Sequence, residues 1–112
     1  MVLHSLANSI LTNLTHLNMG YNKDWFTTDD NVFMLYDFIS KKNALQLLNL
    51  SGNFFNSKST MLIIKAVTST DSVNTLERIY LTDCNWSEQE SCEALARLIT
   101  NGKNLKTVLI GG

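Results

Sequence analysis

One nine-residue pattern returns along this chain at a nearly constant interval. Written L-x-x-L-x-L-x-x-N/C, it is filled by Leu14, Leu17, Met19 and Asn22, then by Leu45, Leu48, Leu50 and Asn53, and again by Leu76, Ile79, Leu81 and Cys84. Leu105, Val108 and Ile110 begin a fourth copy. The copies start at 14, 45, 76 and 105, so they lie 31, 31 and 29 residues apart. A period of this size predicts one strand-and-helix unit stacked on copies of itself, because no single unit can bury its own apolar face.

Each half of the unit has a physical reading. In Leu48-Asn49-Leu50 the apolar residues alternate with a polar one, as a short half-buried strand requires. Asn22, Asn53 and Cys84 then stand where the chain leaves the strand and must satisfy the turn's backbone groups. The second half reads as a helix. Asp29-Asp30-Asn31 precede VFMLYDFISKK, with acids at the start and Lys41-Lys42 at the end, as the helix dipole favours. Ser57 to Thr60 open the run MLIIKAV, and Ser87 with Glu90 spells a capping box before SCEALARLI. Aligning the helices pairs Val32, Ile63 and Cys92, then Leu35, Ala66 and Leu95, as the faces that close the core. The aromatic residues of the turns, Trp25, Phe26, Phe54, Phe55 and Trp86, are expected in that core too. Helix VFMLYDFI is apolar on nearly all sides, which predicts that part of Phe33, Met34 and Phe38 stays on the surface.

On these template positions the chain resembles the leucine-rich repeat family from about position 3 onward. Its long copies with a helical second half are similar to the ribonuclease-inhibitor-like subclass, which includes NOD-like receptors, tropomodulins and Ran GTPase-activating proteins. The resemblance implies an α/β fold: a right-handed leucine-rich-repeat solenoid, a horseshoe segment of about three and a half repeats. A parallel β-sheet would line its concave face and α-helices its convex face. The expected organisation is a single repeat domain or fragment over 1–112: an incomplete first repeat or helix at 1–13, repeats at 14–44, 45–75 and 76–104, and the start of a truncated repeat at 105–112. Copies of 31 residues exceed the usual 20 to 29, and the turns WFTTDD and STDSVN are expected to hold the excess.

Composition narrows the function classes. Nine basic residues nearly balance ten acidic ones, so the chain lacks the basic stripe that nucleic acid or an anionic membrane demands. No apolar run approaches a membrane span, the longest being VFMLY and MLII. MVLHSLANSILTNL has no basic n-region and no small-residue cleavage site, and it reads as a short helix, not a signal peptide. Two cysteines are too few for a disulfide framework, which points to a reducing, cytoplasmic setting with both thiols free.

The chemistry of catalysis is not written here. His4 and His16 lack Cys or carboxylate neighbours at metal-ligand spacing, and Asn101-Gly102-Lys103 lacks the flanking residues of a phosphate loop. The expectation is therefore a non-catalytic module, without cofactor or metal, that binds a protein partner. Its candidate surface is the set of strand and turn side chains that point away from the core: His16, Asn18 and Tyr21; Leu47, Asn49 and Ser51; Arg78, Tyr80, Thr82 and Asp83; and Leu109. Aromatic, Arg and apolar members together are the composition enriched at protein interfaces. Asn18 and Asn49 share one column and suggest a hydrogen-bonded ladder across strands. Regulation of a small GTPase, or a role within an actin-capping or innate-sensing repeat protein, is the alternative by fold analogy. The ends show no capping element, so the chain is either a fragment of a longer repeat domain or a protomer that self-associates through open ends.

Overall fold

A short strand with an apolar central residue buries a single face, and four such strands follow one another along the chain. The computed structural model describes residues 14–26 and 28–111; the helix expected over 1–13 lies outside them. Strands β1 (His16–Asn18), β2 (Leu47–Asn49), β3 (Arg78–Tyr80) and β4 (Thr107–Leu109) form one four-stranded sheet in the order β1-β2-β3-β4. All three pairings are parallel, with Leu17 opposite Leu48, Leu48 opposite Ile79, and Ile79 opposite Val108. The central residues Leu17, Leu48 and Ile79 are buried, and their strand neighbours are exposed or half-buried.

The ladder runs beyond these short strands. Met19 N–H donates to Asn49 O (2.9 Å), Leu50 N–H to Tyr80 O (2.9 Å) and Leu81 N–H to Leu109 O (2.7 Å), the same bond at three successive strand exits. On the entry side Gln46, Glu77 and Lys106 donate to Thr15, Gln46 and Glu77 in turn.

Helices α1 (Asp29–Ser40), α2 (Ser57–Thr68), the four-residue α3 (Ser72–Thr75) and α4 (Gln89–Asn101) complete the described elements, with a single 3-10 turn at Lys23–Trp25. Helix α1 packs on α2 and α2 on α4, following the strand order, so the helices share one side of the sheet. Val32, Leu35 and Ile39 of α1, Ile63, Ile64 and Val67 of α2, and Ala94, Leu95 and Leu98 of α4 meet the strand leucines in the core. Each such side chain contributes about 1.5–3 kcal/mol by leaving water.

Several local expectations need correction. Cys92 is exposed and Ala94 takes the core place opposite Ile63. The reason is register: the interval of 31 holds from β2 through α4, and the two-residue shortening falls between α4 and β4, where the counterpart of α3 is missing. The capping box at Ser87 does not form. Ser87 N–H donates to Asn85 Oδ1 (2.8 Å), and the helix begins at Gln89 with Glu88 as its cap. Help comes from the neighbouring unit instead: Ser57 Oγ accepts from Glu88 N–H (3.2 Å) and donates to Ser91 Oγ (2.9 Å), which donates to Glu88 O (2.7 Å). Helices α1 and α2 have ordinary caps, Thr28 and Asn56, whose side chains accept from Asn31 and Ser59 N–H.

Phe38 is buried, with the Lys42 ammonium 4.7 Å above its ring. Lys42 is itself buried, and burial, then the neighbouring Lys41 charge, lowers its pKa. Phe33 does remain exposed and Met34 is half-buried. The segment expected as a plain turn, STDSVN, carries α3, which ties adjacent units together: Ser72 Oγ donates to Lys42 O (2.8 Å) and accepts from Leu45 N–H (3.1 Å), while Thr75 Oγ1 donates to Leu45 O (2.7 Å). Among the described residues no helix is long and apolar enough to cross a membrane.

Candidate protein-interaction face

The sheet side opposite the helices carries two columns of side chains, and strand register sets both. His16, Leu47, Arg78 and Thr107 stand opposite one another in the first; Asn18, Asn49, Tyr80 and Leu109 form the second. Seven of the eleven candidate residues are thus brought onto one face: His16, Asn18, Leu47, Asn49, Arg78, Tyr80 and Leu109. His16, Asn18, Arg78 and Leu109 are exposed, and Leu47, Asn49 and Tyr80 half-buried.

The face has relief. A depression of about 180 Å3 opens between His16 and Arg78, with Leu47 between them and Gln46 and Glu77 at its edge. Those last two residues were not expected, because each stands one residue before its strand, at the second template position, which was not counted among the outward-facing ones. Glu77 also receives Lys106 Nζ at 3.4 Å, an exposed pair worth little in isolation. Thr15 Oγ1 lies 2.9 Å from His16 Nδ1 and orients the ring.

The asparagine column works differently from the expected cross-strand ladder. Asn18 Oδ1 accepts from Gly20 N–H (3.1 Å) and Asn49 Oδ1 from Ser51 N–H (3.1 Å), so each side chain closes an Asx turn at its own strand's end. The buried ladder lies two turns further on. Asn53 Nδ2 donates to Met19 O (3.0 Å) and Leu50 O (2.9 Å), and its Oδ1 accepts from Asn22 N–H (2.6 Å). Asn22 Nδ2 donates to Met19 O and Gly20 O.

The other four sequence-predicted residues, Tyr21, Ser51, Thr82 and Asp83, lie beyond the ends of the strands. Ser51 is buried, and its hydroxyl accepts from the backbone N–H of Thr82 (3.0 Å), while Thr82 itself is half-buried. Tyr21, Gly52 and Asp83, each 31 residues from the next, all have positive φ, at 59°, 77° and 62°. That left-handed step turns the chain off the sheet, so Tyr21 and Asp83 project from the rim of the molecule. The Tyr21 ring covers Gly52 so closely that a Cβ there would overlap its Cδ1 and Cε1. Sequence gives a signal at Gly52 and a weaker one at Asp83, since Gly and Asp tolerate a left-handed turn, but none at Tyr21.

The turn aromatics also divide. Phe26 and Phe55 are buried against each other with ring centroids 5.3 Å apart, and Trp86 packs half-buried against the core. Trp25 and Phe54 are exposed, contrary to expectation.

Comparison with protein-family profiles, with curated proteins and with solved structures returned no match.

Proposed function

We propose that the chain is a segment of a right-handed leucine-rich-repeat solenoid of the ribonuclease-inhibitor-like kind, and that it works as a non-catalytic protein-binding module through its open sheet face. The observation that carries this reading is the pair of registered columns, which sets Arg78 and Tyr80 beside Leu47 and Leu109 on a face that none of the described helices covers. Arg and Tyr flanked by apolar neighbours are the residue types that dominate binding energy at protein interfaces. Leu109, at 48% exposure, leaves apolar surface that a partner would bury.

The test is affinity capture with Arg78→Ala and Tyr80→Ala compared with the unaltered chain. Each substitution removes side-chain atoms from the open face, so the thermal midpoint stays within about 2 °C while partner recovery falls. Equal recovery by both variants overturns the reading. The competing reading to a segment is a protomer that self-associates through the outer edge of β4, where Leu109 and Ile110 are exposed. Light scattering at high protein concentration checks it, and a monomer under those conditions removes it.

A further inference from the structure

The rim beyond the carboxyl ends of β1 and β2 holds a second surface, independent of the sheet face. Tyr21, Trp25 and Phe54 are 78%, 45% and 64% exposed there. Two of them sit in left-handed backbone, Tyr21 at φ 59° and Phe54 at φ 55°. Such a conformation disfavours any residue with a Cβ, and a bulky one most. Phe54 gains no core packing in exchange, since its ring stands in solvent beside the buried Phe55. Strain without a packing return is the mark of a residue held for contact with something else.

What that something is follows from the groove beside it. Phe54 walls a cavity of about 510 Å3 whose apolar floor is the Phe26–Phe55 pair. Asp24 and Asp29 stand in the same lining with a single base, Lys23. The chain already shows what the ring accepts: Lys23 Nζ lies 5.7 Å from the Phe54 centroid. An aromatic face and two carboxylates around one concavity select a cation, and a flat one above all. A guanidinium stacks on the ring and bonds carboxylates with its in-plane N–H groups, whereas a compact ammonium stays strongly hydrated. On the far side of Phe54 a second groove of about 540 Å3 runs past Asp83 and Trp86, so the ring is a ridge between two depressions. That form suits a length of extended chain better than a small molecule.

We propose that the rim groove docks an arginine side chain presented on an extended segment of a partner protein, with the guanidinium against Phe54 and between the carboxylates of Asp24 and Asp29. Lys23 competes for the same ring, and it is the internal cation that the incoming arginine displaces.

The experiment titrates the isotopically labelled full chain with acetyl-Ala-Arg-Ala-amide into the millimolar range and follows backbone amide shifts, with lysine and citrulline peptides as matched controls. The arginine peptide is expected to shift the amides of Lys23, Asp24, Asp29 and Phe54, with the lysine peptide about threefold weaker and the neutral citrulline peptide about tenfold weaker. Asp24→Asn lowers affinity about threefold, and Lys23→Ala raises it by a similar factor. Phe54→Gly is the decisive variant. Glycine accepts the left-handed turn without strain, so this protein resists urea at least as well as the unaltered chain while binding falls about fivefold or more. Arginine and citrulline peptides of equal affinity, no shifts with any peptide, shifts confined to the sheet face, or full binding by Phe54→Gly would each overturn the proposal.

Discussion

The turns that follow β2 and β3 put different chemistry at the same position. Asn53 leaves β2 with its side-chain amide fully used, making three hydrogen bonds to Met19 O, Leu50 O and Asn22 N–H, and it is buried. Cys84 leaves β3 from the position 31 residues later, half-buried, with Sγ 3.9 Å from Thr82 O. Burial pushes its thiol up to about 12; a bond with Thr60 works against that and the Asp83 charge works with it. A thiol is one weak donor, so it fills the space of the ladder but does little of the bonding. The inner turn is held by hydrogen bonds and the outer one mainly by packing.

The comparison breaks most readily at Asn53. Asn53→Ala strands Leu50 O and Asn22 N–H, while Met19 O keeps its bond from Asn22 Nδ2, and is expected to cost about 3 kcal/mol, read as a lower urea midpoint with unchanged slope. Gly52→Ala comes next. The added methyl meets the Tyr21 ring and must adopt φ 77°, so about 2 kcal/mol is lost. Adding Tyr21→Ala to the same chain returns the steric share but not the backbone share, and a double-mutant cycle on unfolding separates the two. Cys84→Ala loses only about 1 kcal/mol, mostly packing. If it costs as much as Asn53→Ala, the two turns are held alike and the contrast fails.

The thiol adds a pH signature. Its folded pKa of about 12 lies above the ordinary 9.0, so the folded chain keeps the proton that the unfolded chain sheds. Stability from this group is therefore complete below about pH 9 and declines as pH climbs from there toward 12. Unfolding curves between these limits should fall less steeply for Cys84→Ala than for the unaltered chain. An alkylating reagent at mildly alkaline pH gives the smallest and simplest readout: exposed Cys92 reacts while Cys84 waits for unfolding.

Strand register was legible in the sequence to the residue, since Leu17, Leu48 and Ile79 are the centres of both the pattern and the strands. The buried bonding of Asn22 and Asn53 was legible for the same reason: a polar residue fixed at the end of an apolar template has few uses besides satisfying the turn. Cys92 was misplaced because a shortened interval does not say where in the unit the residues were lost. Ser51 was misplaced because alternation predicts which way a strand side chain points, and the strand had already ended.

The sequence by itself therefore determined the α/β alternation, the parallel order of four strands and the identity of most core residues. Spacing and apolar period are local properties, and each copy states them without help from the others. Tertiary structure alone decided that the turn at Tyr21, Gly52 and Asp83 is left-handed and that Phe54 stands outside while Phe55 lies inside. Adjacent aromatics in one turn carry no period to tell them apart. The left-handed φ at Phe54 turns that ring to solvent while the next one enters the core.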